Sequence, residues 1–130
     1  METRLGRAVL LVQDYEEAYQ FYNLNLGCRK LFDMTTEDGQ RFLHIGFGKD
    51  DSVGLWLLKA DKEEEQGRVG LQTGRQPAFV FYTSSLEEVY QRLLRHQVRI
   101  VKDPVTAPDA KFLHFLDLYG NEIVLVELLT

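Results

Sequence analysis

Two histidines stand at equivalent places in a sequence that repeats itself. The tripeptide Phe-Leu-His begins at Phe42 and recurs 70 residues later at Phe112, so that His44 and His114 correspond to each other. A neutral imidazole donates a hydrogen bond through one nitrogen and accepts through the other, and it titrates near neutral pH. On a strand, alternation places each phenylalanine and its histidine on one face. We therefore expect two imidazole–phenyl pairs that line one pocket from symmetric sides and donate hydrogen bonds or move a proton.

Two other interpretations of these histidines stay open. Both side chains can be half-buried and satisfied by backbone or water, without a functional role. They can also form a metal site in which His44, His114 and Glu122 supply the donors. Histidines on equivalent strands of two repeats are expected to lie too far apart for one ion, which argues against the metal site. Whether either histidine is catalytic is left open.

Four further side chains have chemistry of their own. Arg7 either binds a ligand carboxylate or phosphate through two hydrogen bonds of its guanidinium, or lies at the solvated start of a strand and pairs with a surface acid. Trp56 stacks on a planar ligand or fills the core, and we favour the core. Tyr82 points its hydroxyl into a pocket or packs in the core, and again we favour the core. Cys28 is expected to be a small buried hydrophobic residue.

The elements that must position these side chains also repeat. An apolar run at residues 8–12 leads to Asp14, and a second at residues 78–82 leads to Ser84 and Ser85. Each run predicts a buried strand that continues into a helix through an N-cap residue. The two helix sequences, YEEAYQFY and LEEVYQRL, agree at four of eight positions. The chain therefore contains two copies of one unit.

Each predicted helix has an apolar stripe at spacings of three and four residues. The stripe comprises Tyr15, Ala18, Tyr19, Tyr22 and Leu26 in the first helix and Leu86, Val89, Tyr90, Leu93 and Leu94 in the second. Three strands follow in each half, predicted near residues 28–34, within 41–48 and at 53–58, and near 98–101, within 111–120 and at 123–129. Turns are predicted at 37–39 and 118–121. The sequence predicts an α+β fold of two βαβββ modules, residues 1–60 and 77–130, joined by a linker at 61–76.

Composition limits the partners and the location of the protein. The 130 residues fit one domain with an apolar content of 45%, and the net charge is −5 with a pI near 5.2. We therefore expect no binding to nucleic acid or to an anionic membrane. One cysteine excludes an internal disulfide and a cysteine-based zinc site. The first residues lack a signal pattern and no apolar run reaches the roughly 20 residues of a membrane span, so we expect a cytoplasmic protein.

The segments FYNLNLG, at the end of the first helix, and FLDLYGNEIVLVE, near the C-terminus, resemble the glyoxalase / bleomycin-resistance / extradiol dioxygenase superfamily, also called vicinal oxygen chelate proteins. The resemblance covers nearly the whole chain. It implies that the two modules form a curved eight-stranded mixed sheet around a cleft and that the protein is a homodimer. In the metalloenzymes of the superfamily that this sequence resembles, the cleft holds a divalent metal through His and Glu side chains.

The four metal-ligand positions of the superfamily carry no usable donor in this sequence. By the resemblance, three of them fall at Arg7, Ala78 and Val124. The fourth falls at Trp56, or at Leu55 if the alignment shifts by one residue. A divalent ion needs several imidazole or carboxylate donors, and the permanent charge of Arg7 would repel it. We therefore expect no metal and no other cofactor.

The function predicted from the sequence is binding of a small apolar or aromatic molecule, with anionic ligands included, in a metal-free cleft. The expected ligand-binding residues are Arg7, Phe42, His44, Trp56, Ala78, Tyr82, Phe112, His114 and Val124. Three alternatives remain. The protein can be a metal-dependent lyase or dioxygenase of the glyoxalase type, a metal-free catalyst that uses His44 or His114, or a dimeric scaffold whose cleft is filled.

Overall fold

The computed structural model describes residues 1–129, which contain eight strands and three helices. Their order along the chain is β1 (Arg7–Val12), α1 (Tyr15–Leu26), β2 (Arg29–Thr35), β3 (Arg41–Gly46), β4 (Gly54–Lys59), α2 (Glu63–Gln66), β5 (Phe79–Tyr82), α3 (Leu86–Arg95), β6 (Ile100–Thr106), β7 (Ala110–Leu116) and β8 (Glu122–Leu128). The chain divides into two compact units, Met1–Val69 and Gly70–Thr130.

The first unit is a four-stranded sheet with one long helix on one face. The strand order is β1-β4-β3-β2, in which β1 and β4 are parallel and the other pairs are antiparallel. Asp14 caps α1 by accepting a hydrogen bond from the Glu17 backbone, and Gly27 ends the helix with φ 70°. The core lies between this helix and the sheet, and its buried side chains are Leu10, Val12, Ala18, Tyr22, Leu43, Ile45, Leu55 and Leu57.

The second unit repeats this arrangement with other residues. Its strand order is β5-β8-β7-β6, with β5 and β8 parallel. Ser85 caps α3 by accepting from the Glu88 backbone, and the helix ends at Arg95 with His96 as its C-cap. The next residue, Gln97, has φ 58°. The core between α3 and the sheet contains Leu86, Leu93, Leu113, Phe115, Ile123 and Leu125.

The predicted α+β fold with two βαβββ modules is confirmed. The eight strands are hydrogen-bonded as two sheets of four strands each. The predicted linker at 61–76 contains the one-turn helix α2, and the module boundaries at residues 60 and 77 stay a prediction. Within residues 1–129, the helices are too short or too polar to cross a membrane.

Two details of the sequence prediction were wrong. The strand predicted at 98–101 is β6, which extends to Thr106 through Pro104. Proline has no N–H to donate, and the pairing with β7 shifts between Lys102 and Val105, as is typical of an edge strand. Leu94, expected in the buried stripe of α3, is 44% exposed. It lies about 80° around the helix from Leu86, at the margin of the apolar face.

Candidate functional site

One face of the first sheet points away from α1, and we call it the open face. It carries most of the predicted site residues of that unit. Side chains alternate along a strand, so the residues between the buried leucines point away from α1. In the register of β3 and β4, His44 lies opposite Trp56, and Phe32 of β2 lies opposite His44. The ring centroids are 5.7 Å apart for His44 and Trp56, 5.8 Å for Phe42 and Trp56, and 5.4 Å for Phe32 and His44. Four rings therefore form one aromatic surface.

Leu31 also lies on this face, because a bulge in β2 places its side chain over two glycines of β3 and β4. The pairing of β2 with β3 shifts between Lys30 and Phe32. The Leu31 side chain then lies so close to the backbone of β3 and β4 that a Cβ at Gly46 or Gly54 would come within 2.8 or 2.9 Å of it. Sequence reasoning missed Leu31 and Phe32, and the one usable signal was the pair of glycines in otherwise apolar strands.

Arg7 fixes the protonation pattern of His44. The Arg7 Nε donates to His44 Nδ1 at 3.1 Å, and its Nη1 donates to the carbonyls of Gly6 and Ser52 at 2.8 and 3.2 Å. A guanidinium has donors only, so Nδ1 must be the acceptor and the neutral imidazole carries its hydrogen on Nε2. Burial, and then the positive charge of Arg7, lower the pKa of His44. The imidazole is therefore neutral at neutral pH.

Two N–H groups on this face have no acceptor. Within residues 1–129, the buried side-chain nitrogens without a hydrogen-bond partner are His44 Nε2 and Trp56 Nε1. A buried donor left unpaired costs about 1–3 kcal/mol. Both side chains are half-buried, and neither nitrogen can serve as an acceptor, because indole never does and the His44 tautomer is set by Arg7. The face thus contains two unpaired donors, which neighbouring side chains cover, among aromatic rings.

The equivalent face of the second sheet has a different arrangement. His114 lies opposite Val124, and its Nδ1 is 2.7 Å from Oε2 of Glu122. A carboxylate only accepts, so Nδ1 carries the hydrogen and Nε2 of the neutral imidazole has a free lone pair. The rings of Phe112 and His114 are 6.0 Å apart. This histidine presents an acceptor where His44 presents a donor.

A cavity of about 320 Å³ lies beside this pair in the second unit. Its lining comprises Leu71, Gly74, Arg75, Gln76, Leu116, Gly120 and Glu122. The volume is at the lower end of the range that small-molecule pockets occupy. Glu122 is the residue that this cavity shares with the imidazole–carboxylate pair.

The structure brings together part of the predicted site in each unit. Arg7, Phe42, His44 and Trp56 share the open face of the first sheet. Leu55 is 6% exposed and lies on the helix-covered face, so Trp56 is the β4 position that faces the same way as His44. The predicted pairing of Arg7 with a surface acid is wrong, because its hydrogen bonds go to His44 and to backbone carbonyls.

In the second unit, Phe112, His114 and Val124 lie on neighbouring strands. Ala78 precedes β5 and donates its backbone N–H to the Glu122 carbonyl at 2.8 Å. The core interpretation of Tyr82 is wrong, because this side chain is 70% exposed at the end of a four-residue edge strand. Cys28 is 2% exposed, so the prediction of a small buried hydrophobic residue is confirmed, and burial raises the pKa of its thiol to about 12.

The sequence matches the family model of the Glyoxalase/Bleomycin resistance protein/Dioxygenase superfamily over residues 4–125. The chain belongs to this superfamily. Among residues 1–129, no group of three or more His, Cys, Asp or Glu side chains has a geometry that could hold a metal ion.

One curated protein and two crystal structures match most of the length of the chain. An uncharacterized protein of Shewanella frigidimarina (strain NCIMB 400) is 27% identical over 122 residues, 93% of this chain and 90% of that protein. The crystal structure of UcmS2 has a TM-score of 0.82 at 28% identity and covers 97% of this chain and 98% of its own. That of TnmS3, an antibiotic binding protein from Streptomyces sp. CB03234, has a TM-score of 0.78 at 21% identity, with 98% and 97% covered. At that identity the likeness to TnmS3 shows the fold.

Proposed function

We propose that this superfamily member binds a small aromatic molecule against the open face of its first sheet, without a divalent metal. One observation carries the proposal: His44 Nε2 and Trp56 Nε1 are buried N–H donors without an acceptor, set among aromatic rings. Ligand sites are mostly apolar with a few placed polar groups, and this face has that character. A ligand that stacks on the rings and supplies an acceptor would relieve both donors.

The donor chemistry argues against the divalent metal that many superfamily members bind. Arg7, Trp56, Ala78 and Val124, at the ligand positions implied by the resemblance, offer no imidazole, carboxylate or thiolate. His44 is close to Arg7 and Trp56, yet Nδ1 accepts from Arg7 and Nε2 carries the hydrogen, so neither nitrogen has a lone pair for a metal. A resident cation beside Arg7 would also be repelled.

A relative of the same fold supports a binding role. TnmS3 is an antibiotic binding protein, and its fold is that of this chain. Fold alone does not determine a ligand, and the residues of the first sheet, not this likeness, support the proposed binding. We extend to this chain only the expectation that the ligand is a small organic molecule.

The experiment uses Trp56, the single tryptophan of the chain, as its own reporter. Planar aromatic compounds are titrated into metal-stripped protein, and saturable quenching of the Trp56 fluorescence is the expected result. His96→Gln, which removes an exposed imidazole at the end of α3, is the matched control and should bind as the unaltered protein does.

Two results would contradict the proposal. Affinity that appears only when zinc, iron, manganese or nickel is added, with near-stoichiometric metal in the purified protein, would favour the lyase or dioxygenase alternative. Absence of quenching and of thermal stabilisation across the panel would favour a scaffold whose face is closed to ligands.

We further propose that the protein acts in the cytoplasm as a homodimer. The first part rests on the acidic composition and on the single cysteine, which forms no internal disulfide, and the second on the resemblance to the superfamily. Sedimentation equilibrium should give twice the mass of 15.1 kDa, and a mass of one chain would contradict the second part.

A further inference from the structure

We propose that the ligand is an aromatic carboxylate, whose oxygens accept the Nε2–H of His44 and the Nε1–H of Trp56; this inference rests on the proposed function. His44 and Trp56 lie directly opposite each other on β3 and β4, with ring centroids 5.7 Å apart. Two neighbouring donors match the two oxygens of one carboxylate.

The hydrogen-bond polarity of the face selects acceptors and rejects donors. Arg7 holds His44 in the tautomer that donates through Nε2, and an indole N–H donates only. A ligand amine or ammonium would place a donor against two donors and leave all of them unpaired. Discrimination of this kind is strong, because the mismatched groups lose their solvation without gaining a partner.

The charge of the first sheet favours an anion over a neutral acceptor. Strands β1, β3 and β4 contain no acidic residue. The one acid of β2, Asp33, is held by Arg41 through two hydrogen bonds of 2.8 and 2.9 Å. No carboxylate among residues 1–129 pairs with Arg7. The Arg7 guanidinium, hydrogen-bonded to His44 Nδ1, therefore has no carboxylate counterion. Its charge polarises the imidazole and so strengthens the Nε2–H as a donor.

The aromatic part of the ligand follows from the rings beside the donors. Phe42 lies next to Trp56, and Phe32, which is 43% exposed, lies next to His44. An aryl group attached to the carboxylate would cover these rings while its oxygens meet the two N–H groups. A short aliphatic acid would meet the donors and leave the aromatic surface bare.

The test compares three compounds of one shape by isothermal titration calorimetry: 2-naphthoate, methyl 2-naphthoate and 2-naphthylmethylammonium. We expect the carboxylate to bind about tenfold or more tightly than the ester, since hydrogen bonds to charged groups are stronger than neutral ones. The ammonium compound should bind most weakly. Trp56→Phe keeps an aromatic ring and removes one donor, so the preference for carboxylate over ester should fall about tenfold.

Arg7→Met should lower the same preference, and His96→Gln should leave it unchanged. Circular dichroism establishes that each variant is folded, and the three compounds on the unaltered protein decide the question even if a variant does not fold. Equal affinity for carboxylate and ester would overturn this inference and leave the proposed function standing. If none of the three compounds binds, this inference is overturned, and the panel of planar aromatic compounds separately decides the proposed function.

Discussion

The two sheets place a histidine at the same position and give it opposite chemistry. In the first sheet, Arg7 donates to His44 Nδ1, so the outer nitrogen of the neutral imidazole is a donor. In the second sheet, Glu122 accepts from His114 Nδ1, so the outer nitrogen of the neutral imidazole is an acceptor. The repeat fixes where the imidazole lies, and the side chain on a neighbouring strand fixes what it can do. Of the two candidate catalytic histidines, His114 is the one that offers a lone pair as a neutral base.

The helix-covered faces of the two sheets, by contrast, are nearly alike. Leu43 and Leu113 occupy equivalent positions on β3 and β7, and both are fully buried. Ile45 and Phe115 follow in the same way. The duplicated unit has kept the face that packs against its helix and has changed the face that points away from it.

The largest effects are expected on the helix-covered faces, which are nearly alike in the two units. Leu43→Ala and Leu113→Ala should each lower the free energy of unfolding by about 2–5 kcal/mol, because each leaves a cavity under a helix. Urea denaturation measures both, and Val80→Ala, at a position that is 56% exposed, is the control with an effect under about 1 kcal/mol. A loss confined to one of the two leucine variants would show that the covered faces are not equivalent.

Much of the fold could be predicted because its signals are local. The apolar runs, the N-caps at Asp14 and Ser85 and the repeated Phe-Leu-His lie within a few residues of the elements they specify. Alternation along β3 and β7 then predicted that each histidine points to the other face of the sheet from the buried leucine that precedes it. These inferences needed no knowledge of which strands are neighbours.

The site chemistry could not be predicted because it depends on contacts between distant residues. Arg7 and His44 are 37 positions apart, and they meet because β1 pairs with β4 and β4 pairs with β3. The Leu31 bulge depends on the absence of a Cβ at Gly46 and Gly54. Tyr82 was assigned to the core because its neighbours are apolar, while its exposure follows from the edge position of β5.

Imidazole nitrogen NMR tests the opposite polarity directly. In their neutral forms, His44 should show the Nε2–H tautomer and His114 the Nδ1–H tautomer, with the exposed His96 as internal reference. In Arg7→Met, His44 loses both the donor and the charge, so its tautomer should become mixed and its pKa should rise, while burial still holds it below the ordinary value. The same tautomer for both histidines in the unaltered protein would contradict their opposite hydrogen-bond polarity.

The pH dependence of stability gives a smaller effect of known sign. The pKa of His44 is lower in the folded protein than its ordinary value of 6.5, so the unfolded chain binds the proton more readily. Stability should therefore fall as the pH drops from about 6.5 through the lower folded pKa, and it should not change with this group above that range. Urea denaturation of His44→Gln should lack this component, and His96→Gln should retain it. An equal pH dependence in all three proteins would contradict the assignment.

The smallest difference between the units lies where their helices end. Gly27 after α1 has φ 70°, and Gln97, its equivalent after α3, has φ 58°. The left-handed region disfavours a side chain, so Gln97→Gly should stabilise the protein by about 0.5–1 kcal/mol and Gly27→Gln should destabilise it by a similar amount. A Cβ at Gly27 would meet nothing within 4 Å, so the expected loss is conformational and not steric. Gln97→Ala separates the two contributions in urea denaturation, because alanine keeps the backbone penalty and removes the rest of the side chain. A Gln97→Gly variant that is less stable than Gln97→Ala would contradict this prediction, because the greater freedom of glycine in the unfolded chain would then outweigh the relief of strain.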